Sequence, residues 1–200
     1  FISMLYGCSE GPQSTIPTAK TEKNQELANS VYPASLFQSN MILQRDTPIP
    51  IWGNGDPNTQ FILTFDEERH IVPIKSDGAW KVTLNARPAG GNYTLSLSGK
   101  KSTELTNITM GDLWLCSGQS NMAWYLKRAQ RGQEELKNAH LPMLRHLNIK
   151  HHPTEKPSPI LKNTQWQNAT NAQMANWSAV AYFFGKELHT QTEVPIGLIH

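Results

Sequence analysis

Residues 111–124 read G-D-L-W-L-C-S-G-Q-S-N-M-A-W. Leu113, Trp114, Leu115 and Cys116 form a short apolar run with glycines on either side, at 111 and 118. A run of that length predicts a strand buried on both faces, as in a parallel sheet. Residues 117–121 are small and polar and predict a tight turn. Residues 122–136 follow with good helix formers such as Ala123, Leu126, Lys127, Arg128, Ala129 and Gln130, and only Gly132 speaks against a helix. Strand, turn and helix can hold a serine at the carboxyl end of a sheet with its hydroxyl exposed. Its N–H then stands near a helix N-terminus, where oxyanions are favoured. Acyl transfer needs that geometry at its nucleophile, and Ser120 is the serine so placed.

Downstream, Leu144, Leu147 and Ile149 predict a second strand over 141–149. Residues 151–162 are rich in proline and lysine and predict a loop. Ser178 is a good N-cap for a helix over 179–191, with Val180, Phe183, Phe184 and Leu188 as the buried stripe at i, i+3, i+4 and i+8. Residues 194–199 form a further apolar strand. Strand, helix, strand, helix, strand is an α/β pattern with a parallel sheet. It is an incomplete one, whose last strand has nothing to cover its outer edge.

Upstream the pattern changes. Residues 49–53, 60–65, 70–74, 79–84 and 93–97 read as short strands, with Val82, Leu84, Leu95 and Leu97 at period two. Turn residues separate them: Asn54-Gly55-Asp56-Pro57, Ser76-Asp77-Gly78 and Pro88-Ala89-Gly90-Gly91-Asn92. Evenly spaced short strands predict an antiparallel β-sandwich over 31–110. Trp52 and Trp80 lie in strand patterns, which favours the core over a sugar-stacking role. Gln38-Ser39-Asn40-Met41 repeats the letters of Gln119-Ser120-Asn121-Met122. Phe37 replaces the glycine there and no buried strand precedes it, so Ser39 is read as a turn serine.

Eighteen basic and sixteen acidic side chains leave these 200 residues near neutral, which argues against nucleic acid or a polybasic membrane contact. No apolar stretch approaches the ~20 residues that span a bilayer. Residues 1–30 read as a signal-peptide remnant and a polar, disordered tether. Leu5-Tyr6-Gly7-Cys8 resembles a bacterial lipobox, with Tyr6 larger than usual. A lipid on Cys8 would be the chain's one membrane contact, and would place it in the bacterial periplasm or cell envelope; without it the protein would be secreted. Cys116, inside the apolar run, is expected as a small buried hydrophobe.

The residues G-Q-S-N-M after D-L-W-L-C-S closely resemble the first motif of SGNH (GDSL-like) hydrolases of the sialate O-acetylesterase type. W-S-A-V-A-Y-F-F-G-K-E-L and V-P-I-G-L-I downstream resemble the same family, and the resemblance spans roughly residues 33–200. It implies a β-sandwich followed by the first part of an SGNH, flavodoxin-like α/β hydrolase domain over 111–200. It implies Ser120 as nucleophile, with Gln119 and Asn121 beside it either bracing the turn or reaching the substrate. The family's remaining oxyanion donors, a glycine and an asparagine, and its late Asp-x-x-His base have no match here. The chain is therefore expected to be an N-terminal part, inactive alone. Of seven histidines, His200 is best placed, at the carboxyl end of a predicted strand, yet it matches no catalytic position. His151-His152 lacks a third ligand at metal spacing, and no phosphate loop appears. The implied partner is an O-acetylated carbohydrate, sialic acid being the family's named substrate, with no cofactor or metal. An acetylxylan-type deacetylase and a non-catalytic carbohydrate-binding protein are the alternatives.

Overall fold

The computed structural model describes residues 25–138, 140–149, 155, 161, 163–170 and 173–200. Cys8, residues 1–24 of the expected tether, the His151-His152 pair and most of the loop over 151–162 lie outside that set. The strands are β1 (Val31–Pro33), β2 (Ile42–Gln44), β3 (Ile49–Gly55), β4 (Gln60–Phe65), β5 (Glu68–Pro73), β6 (Ala79–Leu84), β7 (Gly90–Ser98) and β8 (Ser102–Leu115). There follow a 3-10 turn (Leu126–Arg128), α1 (Gly132–Asn138), β9 (Leu141–Leu147), β10 (Trp166–Ala169), a second 3-10 turn (Met174–Asn176), α2 (Ala179–Thr192) and β11 (Ile196–Ile199).

The strands make a three-stranded sheet, β1-β3-β6, and an eight-stranded mixed sheet ordered β10-β9-β11-β8-β7-β4-β5, with β2 also paired to β8. Alternation works as expected in β3 and β4: Ile49, Ile51, Phe61, Leu63 and Phe65 are buried while their neighbours look outward. Both sheets bury side chains in one cluster with Trp80, Leu84, Leu95 and Leu97. A buried aliphatic or aromatic side chain of this kind stabilises by about 1.5–3 kcal/mol.

β8 is the organising element. It pairs antiparallel with β7 over its first part and parallel with β11 from Asp112 to Leu115. The boundary expected between residues 110 and 111 falls inside this one strand. Residues 25–30, expected in the tether, are held on the sheet: Ala28 is fully buried, its N–H donates to the Gln60 carbonyl at 2.9 Å, and its carbonyl accepts from Lys100 at 2.7 Å. The strand at 194–199 also differs from expectation, because β11 lies between β8 and β9, parallel to both, and neither of its edges is open.

The helix expected over 122–136 is broken. Residues 119–123 form a turn, and a 3-10 turn and then α1 follow. Ala129 is extended and Arg131 adopts φ 66°. A Cβ on Gly132 would stand 1.8 Å from the Leu126 carbonyl oxygen, so the chain doubles back there instead of coiling through. Helix propensity loses because the segment pairs elsewhere: Leu126 N–H donates to Trp177 O at 2.9 Å and Ala179 N–H to Trp124 O at 2.8 Å.

α2 forms as predicted, and Ser178 caps it, its Oγ accepting from Ala181 N–H at 3.2 Å. Its buried face matches the predicted one only in part: Phe183 and Leu188 are half-buried against the helix-side core. Val180 and Phe184 are exposed, while Ala179, Ala181, Tyr182 and Gly185 are buried. Small residues win because the helix backbone lies close on the sheet. A Cβ on Gly185 would stand 2.8 Å from Leu144 Cδ1 and 2.9 Å from Leu198 Cδ1.

Candidate active site

β8, β11 and β9 run parallel, so Leu115, Ile199 and Leu147 end at one edge of the sheet. The loops leaving that edge carry Ser120, His200 and Asn148. Ligands of open α/β sheets bind outside the carboxyl ends of the strands.

The apolar run that leads to Ser120 is not buried on both faces. Alternation puts Leu113 and Leu115 on one face and Trp114 on the other. Trp114 meets Phe184 of α2 edge-on at 5.0 Å but stays 43% exposed, and Leu115, beyond the reach of the core cluster, is 77% exposed. Cys116 is a buried free thiol, as expected, and burial pushes its pKa up, so it is a poor nucleophile.

The turn is closed by backbone bonds. Met122 N–H donates to Gln119 O at 2.9 Å and Trp124 N–H to Asn121 O at 3.2 Å. No helix starts here, so the expected helix N-terminus at the Ser120 N–H is absent. Met122 is the anchor: it packs against the helix-side core, and Ser178 Oγ donates to its sulfur at 3.4 Å. With Met122 pinned inward, Gln119, Ser120 and Asn121 are all exposed. The backbone carbonyls of Gln119 and Asn121, not the side chains, brace the turn. Among the described residues none hydrogen-bonds the side chains of these three. The Ser120 hydroxyl is open to solvent.

No described histidine bonds Ser120. His200 joins the sheet edge, its N–H donating to Leu147 O at 2.9 Å and its carbonyl accepting from Ile149 at 2.7 Å. Its ring lies 5.7 Å from that of His146, and burial lowers its pKa. His146 is completely buried, stacked on Trp177 at 4.6 Å, with neither ring nitrogen partnered. Burial, with His200 adding repulsion, lowers it to about 3. It is a neutral packing ring, which sequence reading did not single out. His189 braces the C-terminal end of α2, Nδ1 at 2.8 Å from Val194 O. Among the described residues no three or more of His, Cys, Asp and Glu gather as a metal site.

Asp112, at the start of the motif, is held by Arg45, whose Nε donates to Oδ1 at 2.8 Å and whose second terminal nitrogen donates to Oδ2 at 3.3 Å. It fixes β8 to the segment after β2 and does not face Ser120. Ser39 is a turn serine, Oγ accepting from Thr106 N–H at 3.0 Å. Trp80 is core at 2% exposure, but Trp52 is 38% exposed, edge-on to Phe37 at 4.7 Å. Trp124 and Tyr125 are also exposed, which removes core packing as their role. A cleft of ≈ 610 Å³ that sequence reading missed is walled by the amides of Asn148, Asn163, Gln165, Gln167, Gln173 and Asn176. Its residues are scattered over four segments, so no local motif announces it.

Fold and site together define a mixed α/β protein that presents an exposed serine turn at the carboxyl edge of three parallel strands. The chain is 28% identical over 190 residues to the sialate O-acetylesterase of Pongo abelii and 28% identical over 188 residues to that of Homo sapiens, covering 83% of this chain in each case. A crystal structure of a carbohydrate acetylesterase from Xanthomonas citri superposes with a TM-score of 0.81 at 36% identity, covering 84% of this chain and 40% of that one. The chain spans 36% of the length of those curated relatives. No family model matches. In sequence the chain is sialate O-acetylesterase-like, and in fold it is like a carbohydrate acetylesterase.

Proposed function

We propose that the protein is a serine esterase that removes O-acetyl groups from carbohydrate. The observation that carries this reading is the exposed Ser120 in G-Q-S-N-M at the end of β8, held out by the inward anchor Met122. Ser120 Oγ attacks the acetyl carbonyl carbon and its proton passes to a base. The tetrahedral intermediate expels the sugar oxygen, which leaves with a proton as the free hydroxyl. Water then attacks the acetyl-enzyme and releases acetate. The open Ser120–Asn121 turn offers backbone N–H groups to the oxyanion. The base in this reading is the histidine of an Asp-x-x-His motif, which these 200 residues do not contain. The two carbohydrate-ester names among the relatives support the substrate class. A fluorophosphonate probe tests the assignment on the native protein. Label on Ser120, with acetate release lost in Ser120→Ala, supports it; unlabelled Ser120 with no acetyl ester hydrolysed would leave a carbohydrate-binding protein.

A further inference from the structure

The serine turn hangs between two fixed points. At one end Cys116 N–H donates to Ile199 O at 2.7 Å, which holds the end of β8 on β11. At the other end residues 124–126 lie antiparallel to residues 177–179. Leu126 N–H meets Trp177 O at 2.9 Å, Ala179 N–H meets Trp124 O at 2.8 Å, and Tyr125 stands opposite Ser178. This second point is the start of α2, and α2 is itself fixed. Gly185 brings its backbone close upon Leu144 and Leu198 of the parallel strands, and Tyr182 and Lys186 donate to the Glu135 carboxylate of α1. Between the two points residues 117–123 bond one another and Trp124. Among the described residues one further hydrogen bond ties them to the fold, from Ser178 Oγ to Met122 Sδ at 3.4 Å.

We propose that Ser178 is a positioning residue for Ser120: one buried hydroxyl caps α2 and, through Met122, fixes the turn that aims the nucleophile. The inference rests on the esterase reading and adds to it the group that steadies Ser120. Ser178 is completely buried, and its Oγ accepts from Ala181 N–H as the cap of α2. That leaves its proton to donate, and among the described residues the Met122 sulfur is the acceptor. Methionine is unbranched and flexible, so packing alone leaves it several conformations. A bond at its sulfur selects one of them. Sulfur is a weak acceptor, so the tie is light, and its loss frees the turn without moving α2 from the sheet. Ser178 touches no substrate and takes no proton. It narrows the directions open to the Ser120 hydroxyl, and a nucleophile held near its line of attack reacts faster than one that wanders.

The test is a double-mutant cycle on the native protein, read as the rate at which a fluorophosphonate labels Ser120. That rate reports attack by Ser120 and not the breakdown of an acetyl-enzyme. Met122→Leu keeps the apolar packing and the Ser178 cap but removes the sulfur. It should slow labelling by about 10-fold, with an unchanged circular dichroism spectrum. Ser178→Ala should slow labelling as much and also lower the urea midpoint, because the cap is lost with the tie. The double variant should label no more slowly than either single one, since both break the same contact. Tyr182→Phe loses a buried hydrogen bond from α2 to Glu135 but keeps the tie. It should lower the urea midpoint and label at the native rate, which separates aiming from a general loosening of the helix. In acetate release, Met122→Leu and Ser178→Ala should lower kcat/KM by the factor seen in labelling. A native labelling rate in Met122→Leu or Ser178→Ala, slowing that multiplies in the double variant, or equal slowing in Tyr182→Phe would each overturn the inference and leave the esterase reading standing. If Ser120 of the unaltered protein takes no label, the esterase reading itself fails, and the inference with it.

Discussion

Ser39 and Ser120 stand in the same four letters, Gln-Ser-Asn-Met, and the fold uses them differently. The Ser39 hydroxyl accepts from Thr106 N–H, whereas that of Ser120 bonds nothing described and faces solvent. Ser39→Ala should therefore leave acetate release intact and lower stability by about 1 kcal/mol, the loss of one hydrogen bond. Ser120→Ala should leave stability within about 0.5 kcal/mol and reduce acetate release at least ~1,000-fold. A urea titration beside an acetate assay checks both; equal loss of activity in the two variants would contradict the assignment. This difference was legible in the residues, since Phe37 in place of a glycine marked the first copy as unlike the second. The role of Met122 was not legible. Its anchoring depends on Ser178, 56 positions away, and no local pattern carries that contact.

Strands with clean alternation were read correctly as elements, and so were the Ser178 cap and the length of α2. The failures share a cause, which is competition from distant partners. The 122–136 helix was lost because its first residues pair with 177–179. The face of α2 was misread at Val180 and Phe184, though not at Phe183 and Leu188, because close approach selected Ala181 and Gly185. β8 was seen only at its last few residues, since its first half, which pairs with β7, carries Leu105 alone among polar residues and so shows no apolar run. Two glycines carry the tight approaches. A Cβ on Gly111 would stand 2.1 Å from the Pro195 carbonyl oxygen, and one on Gly132 closer still to that of Leu126. Backbone oxygens cannot rotate away as side chains can. Gly111→Ala and Gly132→Ala should each cost about 3 kcal/mol, seen as a lowered urea midpoint. An unchanged midpoint would show that β8 and β11, or the 3-10 turn and α1, are not so closely packed.

For the molecule as a whole, the large core reached by both sheets and the smaller one under α2 meet across β9, β10 and β11, where Leu147, Trp166 and Ile199 join the first and Leu144, Ala169 and Leu198 the second. The second core also holds charge. Burial pushes the Glu135 carboxyl up, but hydrogen bonds from Lys186 and Tyr182, with Lys186 and Arg131 attracting it, leave it below the usual carboxylate range. Glu135 therefore costs stability only in strong acid. His146 acts at milder pH. Folded, it titrates at about 3, so as pH falls below the ordinary 6.5 the unfolded chain takes a proton that the folded one refuses. Stability is full above that pH and should fall by up to about 1.4 kcal/mol per pH unit towards pH 3. His200, also lowered, adds in the same direction. His146→Phe keeps a ring on Trp177 and should flatten the slope between pH 5 and about 6.5; an unaltered slope would place that dependence elsewhere. All of this supports one exposed hydroxyl at the sheet edge, and the direct test of it is a rapid acid quench of the native protein during turnover of an acetyl ester, followed by peptide mass spectrometry. The account predicts an acetyl group on the peptide carrying Ser120, absent from Ser120→Ala, and an acetyl found on any other residue, or acetate released with no acylated peptide at all, would contradict it.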